Sequence, residues 1–346
     1  MRPMVRWRSW SRRRRRTVWA ALGAAALLVV PVGSVGLALG AEAAGDPSAL
    51  ARTRGHDAVW LGHGWVDGHK GPADLAALPQ LVRGGVHDLY VHAGPLEHDG
   101  SLPAALYPQA RALIDAVHRE LPGVRVQAWL GDLVEPEADG LHLDQAAVRD
   151  RITASARQVL DAGFDGVHLD LEPLHSGDGG YLALLDQVHA LTAARGVPLS
   201  VATPQIDPLP ALHTAAALLT GHPKWWSQAY FAQVARRTDQ IAVMSYDTAM
   251  PTQALYTGYV AQQTALALEV TPPSVDLLMG LPAYYADQWG HQGSAETVAA
   301  AVRGVRLGLT RNAVDRRTFG VGMYADFTAT AADWASYRDD WCRELP

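Results

Sequence analysis

Cysteine is almost missing from this chain of 346 residues. Cys342 is the only one, so no intrachain disulfide can form and the fold must stand on its core. A catalytic thiol has no support either, because Cys342 sits in a terminal helix-like segment between Trp341 and Arg343. Lysine is nearly as scarce: Lys70 and Lys224 stand alone beside heavy use of arginine and alanine, the composition of a GC-rich genome. No Walker loop and no GxGxxG opens a helix, which removes the basis for nucleotide binding. The chain also lacks a sequence repeat and a low-complexity domain, so solenoid and array folds are out.

One stretch lacks charge altogether. Thr17 to Gly40 contains no ionisable side chain, and it follows a segment with eight arginines among its first 16 residues. As a helix the apolar run would extend about 36 Å, enough to cross a bilayer core, whereas a secretory h-region needs only about 7 to 15 residues. Its length favours an uncleaved anchor; Ala41-Glu42-Ala43 would suit signal peptidase if the segment were instead removed. Either way the arginines are expected to stay cytoplasmic and the rest to face outward. The expected division is a basic segment at 1–16, an anchor or signal segment at 17–40, a linker at 41–56 and one domain at 57–346. Without the eight arginines, 21 basic residues oppose 35 acidic ones, and the formal charge moves from -6 to -14. A nucleic-acid partner needs a basic surface and is excluded on that ground.

What remains has an ordinary globular composition, 49% hydrophobic and 18% charged, long enough for one barrel of about 250 residues. Apolar strand-like runs alternate with helix-like segments, the pattern of a parallel α/β fold. Eight strands are expected: Ala58 to Gly62, His87 to His92, Arg125 to Leu130, Gly166 to Leu171, Leu199 to Ala202, Ile241 to Tyr246, Asp276 to Leu281 and Gly320 to Tyr324. Segments such as Pro103 to Leu121, Asp144 to Ala162, Tyr181 to Arg195 and Ala295 to Leu309 carry helical spacing between them. The fold class is therefore a single (β/α)8 TIM barrel preceded by an N-terminal membrane anchor or signal segment.

In the fourth strand, His168, Asp170 and Glu172 alternate with Val167, Leu169 and Leu171. Side chains two apart share a face, so the apolar set packs under helices while three ionisable groups point into the barrel. Two neighbouring carboxylates in a confined site push their pKa values apart, which suits an acid and an electrostatic partner on one substrate. Barrel sites lie at the C-terminal strand ends. That rule gathers His63, Trp65, His92, Trp129, Glu172, Gln205, Asp207, Tyr246, Asp247, Tyr284, Tyr285 and Tyr324, and a ring of aromatics around two carboxylates favours a carbohydrate.

Asp165, His168, Asp170 and Glu172 together resemble the DxxDxDxE signature of glycoside hydrolase family 18, the chitinase-like enzymes, with His168 in place of the second Asp. Val243-Met244-Ser245-Tyr246-Asp247 is similar to that family's Met-x-Tyr-Asp on strand six, and Gly280-Leu281-Pro282-Ala283-Tyr284-Tyr285 to its GLPxY on strand seven. The likeness covers residues 57 to 340. It implies substrate-assisted retaining hydrolysis, in which the sugar's N-acetyl oxygen attacks the anomeric carbon and no protein nucleophile is needed. It further implies Glu172 as general acid, Asp170 orienting the acetamide, Tyr246 hydrogen-bonding its carbonyl and Asp165 holding the carboxylate network. Met244, Asp247, Trp129, Tyr285, Tyr324 and His168 would bind or support the substrate. The family's strand-three SxGG is absent from Ala128-Trp129-Leu130-Gly131, and Tyr324 stands where its strand-eight tryptophan would be. The expected substrate is accordingly another N-acetylglucosamine-containing polymer, such as peptidoglycan or an envelope glycan, rather than long-chain chitin.

No cofactor and no metal is expected. Two other readings remain open: a non-catalytic glycan-binding barrel, and a metal-dependent hydrolase drawing ligands from His168, Asp170, Glu172 and His175, with His63 and His92 nearby. The expected partners are a carbohydrate polymer or oligosaccharide and, through the N-terminal segment, a membrane.

Overall fold

The computed structural model of the chain describes residues 34–136, 139–214, 224–288 and 290–343. Eight strands form, all parallel and in sequence order: β1 (Asp57–Leu61), β2 (Val86–Pro95), β3 (Arg125–Leu133), β4 (Gly166–Glu172), β5 (Leu199–Thr203), β6 (Gln240–Val243), β7 (Asp276–Pro282) and β8 (Phe319–Tyr324). β8 pairs back onto β1 and closes the barrel. Each strand lies within three residues of its expected bounds. The outer layer includes α1 (Pro72–Leu81), α2 (Ala110–Glu120), α3 (Ala146–Asp161), α4 (Gly179–Arg195), α5 (Gln228–Ala235), α6 (Gln253–Val270), α7 (Val298–Asn312) and α8 (Ala331–Ser336).

Helix ends follow local chemistry. Asp178 caps α4 by accepting from the Tyr181 amide, and Gly196 closes it in the left-handed conformation. Thr252 and Thr297 cap α6 and α7 in the same way at their N-termini. The helix expected from Pro103 starts later, at Ala110, after a single 3₁₀ turn at Ala104–Leu106, because Pro108 cannot sit inside a helix without removing a backbone bond.

Strand alternation divides the core in two. Val167, Leu169 and Leu171 face the helices as part of one large apolar shell between sheet and helices. Inside the barrel lies a smaller cluster built on Ala58, Trp60, Tyr90, Ala242, Leu278 and Ala325. That interior is also polar. Arg125 grips the buried Asp88 with two bonds of 2.7 and 2.8 Å, and Gln127 and Gln240 donate to the same carboxylate. A buried carboxylate is tolerable only when so fully paired, and the pairing holds Asp88 well below the usual carboxylate range against the cost of burial.

Two features were not legible beforehand. After β5 the chain makes an excursion in which Gln205–Ile206 pairs with Trp225–Trp226 as a separate two-stranded sheet. The stretch read as a linker, together with residues 34–40 at the end of the run read as an anchor or signal segment, is a bound strap. Residues 34–42 are helical, Leu39 is buried, and the Leu39 carbonyl lies 1.9 Å from where a Cβ on Gly258 would be, so only glycine admits this approach to α6. From α7, Arg311 bonds Glu42 and the Ala44 carbonyl, Arg303 the Gly45 carbonyl, and Arg306 the Ala51 carbonyl. The apolar run Thr17 to Gly40 falls for the most part outside the described residues; among those described, no helix is long and apolar enough to cross a membrane.

Arg311→Ala removes charge-assisted bonds to the strap and is expected to lower stability by about 1 kcal/mol. It should also open the residues around Glu42 to limited proteolysis, read by mass spectrometry of the fragments, and a cleavage pattern identical to wild type would count against the clamp.

Candidate active site

Position on β4 decides which of its side chains reach the barrel mouth. Asp170 and Glu172 occupy the last two inward positions, paired in register with Gly131 and Leu133 of β3. Both line a cavity of about 540 Å³ at the C-terminal end of the strands, with Met244, Tyr246 and Asp247 from the segment after β6, Tyr284 after β7 and Tyr324 at the end of β8. One Asp170 oxygen, Oδ1, is buried and has no hydrogen-bond partner among the described residues. Burial raises the Asp170 pKa, and the Trp129 indole pulls it back. Glu172 opens to the cleft; the deep mouth around it, then the charges of Asp170 and Asp247, raise its pKa above the carboxylate range. Two acids are thus held in unequal environments, the condition for a protonated donor beside an ionised partner.

Beneath them the barrel floor is neutral. The Trp60 indole can only donate, and its N–H meets His168 Nε2 at 3.1 Å, so this nitrogen is the acceptor and the ring proton resides on Nδ1. Nδ1 in turn lies 2.8 Å from the Ser200 hydroxyl, which donates to Tyr90, which donates to Gln240 above Asp88. His168 is fully buried, stacks on Tyr90 with ring centroids 3.8 Å apart, and burial pushes its pKa down to about 3. It is therefore a neutral packing element that does not line the cleft, contrary to its expected supporting place there. The metal-hydrolase reading loses its central ligand for the same reason, since neither imidazole nitrogen is available.

Tyr246 owes its place to a missing side chain. A Cβ on Gly280 would meet its ring at 2.7 Å, so the glycine of the GLPxY-like run makes the room. The Tyr246 ring stacks on Tyr324 at 5.5 Å, and Tyr284 donates to Asp247 Oδ1 at 2.6 Å. Tyr285, expected in the cleft, turns outward and donates to Asp333 instead. Strand alternation ends with β7 at Pro282, so parity cannot be carried to residues 284 and 285. Asp165 also departs from its expected role. It precedes β4, roughly 20 Å of strand away from Glu172, where it accepts from the Val126 amide and His118. It holds the start of the strand and touches neither Asp170 nor Glu172.

Trp129, half-buried, belongs to a second lobe of about 440 Å³ with His63, Trp65, Lys70 and His92. Phe327 lines both lobes and packs on Gly62. Sequence reasoning missed Phe327, Lys224 and Gln288, which reach the site on loops, and Trp225 on the small two-stranded sheet; none belongs to a motif. It also missed His291 and Glu296, whose side-chain nitrogen and oxygen atoms lie with those of Asp247 within 4.8 Å of one another.

No family model matches the sequence, and no curated protein matches it. Solved structures do. The spore cortex-lytic enzyme SleL of Bacillus megaterium QM B1551 superposes with a TM-score of 0.59 at 14% identity, over 85% of this chain and 76% of that one. A chitinase of Chromobacterium violaceum ATCC 12472 gives 0.57 at 15% identity, over 83% and 99%. The Group IV chitinase of Ostrinia furnacalis gives 0.55 at 14% identity, over 83% and 99%. At these identities the likeness shows the fold: a closed parallel barrel shared with chitinases and a spore cortex-lytic enzyme.

His168→Ala should leave the Trp60 donor unpaired and open a cavity in the barrel, costing about 2 to 5 kcal/mol in denaturant unfolding. Metal content measured on the purified wild type and variant should not differ; loss of a bound metal with the histidine would restore the metal-hydrolase reading.

Proposed function

We propose that the chain is an extracytoplasmic glycoside hydrolase that cleaves an N-acetylglucosamine-containing glycan by substrate-assisted retaining hydrolysis. The observation that carries this reading is the placement of Asp170, Glu172, Tyr246 and Asp247 around one cavity, on a barrel whose structural neighbours include chitinases and a cortex-lytic enzyme. The fold alone would not do so, because one barrel hosts many chemistries.

The mechanism follows from the unequal carboxylates. Glu172, protonated because its pKa is raised, gives its proton to the glycosidic oxygen as the bond to the anomeric carbon breaks. The acetamide oxygen of the same sugar closes onto that carbon, so the positive charge is shared in an oxazolinium ring and the leaving alcohol departs with Glu172's proton. Asp170, with a free buried oxygen, faces the acetamide N–H and stabilises the charge that develops there. Tyr246 donates its hydroxyl to the acetamide carbonyl. Water then attacks the anomeric carbon, Glu172 recovers a proton from it, and the ring reopens with configuration retained.

The aromatic faces of Tyr324, Phe327 and Trp129 along the two lobes suit pyranose rings, each of which presents an apolar C–H face. An extended, two-lobed cleft fits a polymer or oligosaccharide better than a single sugar. The arginine-rich start followed by the uncharged run supports an orientation with the barrel outside the cytoplasm.

Glu172→Gln should keep the fold and lower turnover of N-acetylglucosamine oligomers or peptidoglycan by about 10² to 10⁴, and Asp170→Asn should also cripple it. Deacetylated oligomers should be poor substrates. Equal hydrolysis of acetylated and deacetylated chains, read by mass spectrometry, would defeat the substrate-assisted scheme.

The pH profile carries its own sign. A raised Glu172 pKa keeps the donor protonated beyond the ordinary carboxylate range, so activity should persist toward neutrality and fall as pH rises through that raised value. On intact cells, added protease should reach the barrel; full protection would place it inside.

A further inference from the structure

We propose that His291, as an imidazolium bridging Asp247 and the buried Glu296, positions the Asp247 carboxylate in the cleft, so that these three residues staple the loops after β6 and β7 into a sugar-binding shape. The sugar-binding part rests on the glycan reading above; the staple itself does not.

Among the described residues, every polar neighbour of the His291 ring nitrogens is an acceptor. Nε2 lies 3.3 Å from the Tyr284 carbonyl oxygen, while Nδ1 lies 3.0 Å from Asp247 Oδ1 and 3.5 Å from Glu296 Oε2. A neutral imidazole has a single N–H and would leave a nitrogen lone pair facing oxygen lone pairs, in a ring that is fully buried. In the doubly protonated ring no lone pair faces an oxygen; Nδ1–H is not aligned for a hydrogen bond to either carboxylate, and the contact is an ion pair. The ring's pKa is raised to about 9, with burial opposing and the two carboxylates favouring the charge. Tyr284 stacks on the ring at 4.2 Å between centroids.

Glu296, also fully buried, spends its remaining capacity on backbone. It accepts from the amides of Thr248 and Ala249 at 3.1 Å and of Gln292 at 3.3 Å. The Thr248 and Ala249 amides belong to a loop that needs holding: Asp247 and Ala249 both adopt φ of +56°, a left-handed conformation that residues other than glycine resist and that persists only where the surroundings impose it. Lys224 Nζ ties the Asp247 carbonyl at 2.9 Å. The loop is gripped at amides, carbonyl and carboxylate at once. Tyr284 and His291 engage Asp247 Oδ1, and among the described residues no hydrogen bond is made to Oδ2, which leaves that oxygen for a ligand.

The groups that face this titration are Asp247 and Glu296 as carboxylates, Tyr284 and Tyr256 as neutral phenols, and Lys224 as the nearby cation. Because the folded pKa of His291 exceeds the ordinary imidazole value of 6.5, its contribution to stability is complete below about 6.5 and is lost as pH rises through about 9.

The test has two arms. Nitrogen-15 NMR of the wild-type protein follows the imidazoles, with His291 assigned by the signal missing from His291→Gln. It should titrate near pH 9 and fall toward the ordinary value in Glu296→Gln. A wild-type His291 that is neutral at pH 7, or whose signal shifts when zinc or calcium is added, overturns the imidazolium bridge. In the second arm, calorimetry measures binding of an N-acetylglucosamine oligomer to Glu172→Gln, which should not turn it over. Affinity should hold to about pH 8 and drop about tenfold by about pH 10. With His291→Gln added, affinity should be about tenfold lower throughout and lose that pH dependence. Unchanged affinity and an unchanged alkaline fall, or a crystal structure of His291→Gln with the Asp247 carboxylate where it stands now, would overturn the positioning role. Failure of Glu172→Gln to bind any oligomer would count against the glycan reading alone, and the NMR arm and that crystal structure would still decide the staple.

Discussion

The hydrogen bond from the Trp60 indole to His168 Nε2 sets the terms for the rest of the barrel. An indole cannot accept, so the bond fixes which imidazole nitrogen carries the proton, and that in turn orients Ser200, Tyr90 and Gln240 down to the Asp88–Arg125 pair. A column of polar groups inside a closed barrel is tolerable only if each member is satisfied. Here satisfaction runs in one direction, from a donor that cannot reverse to a carboxylate that cannot donate. The result is a floor without titratable behaviour near neutral pH, because His168 is held far below its ordinary pKa.

That floor explains the mouth. With the only charge beneath them paired, Asp88 with Arg125, the two acids are set by their surroundings: burial raises Asp170, while the deep mouth and then the charges of Asp170 and Asp247 raise Glu172. An acidic residue at position 168 would add a third carboxylate to the column, and the indole donor would then serve an anion. The neutral ring removes that coupling and leaves a two-carboxylate site whose proton inventory is simple.

Charge is handled differently at the rim. Around Asp247 the structure uses opposite charges and backbone amides to hold a strained loop, whereas between the carboxylates and the Asp88–Arg125 pair the barrel is filled by neutral groups. Rigid packing below and stapled loops above keep the aromatic faces and the carboxylates in one geometry, which is what a polymer substrate with repeated rings requires of a cleft. The excursion after β5 contributes to the same wall by bringing Lys224 and Trp225 over the cavity.

The sequence by itself determined the barrel and the pair of carboxylates, and the reason is periodicity. Eight apolar runs bounded by turns give eight strands, and alternation puts Asp170 and Glu172 inside with Leu169 and Leu171 outside whatever the neighbours are. Where regular structure stops, that reasoning stops with it. Tyr284 rather than Tyr285 enters the cleft because the chain has left β7, and Asp165, within the same motif as Glu172, lies at the other end of the strand. His168 points inward as alternation demands, yet only the closed barrel shows that it meets Trp60 and Ser200 below the cleft and has no nitrogen left for a ligand. The His291–Glu296 pair has no signature at all, since a loop residue's partner depends on where two chain segments cross. The bound strap at 42–51 reads as a linker for the same reason: its composition is small and polar, and what orders it is arginines some 260 residues away on α7.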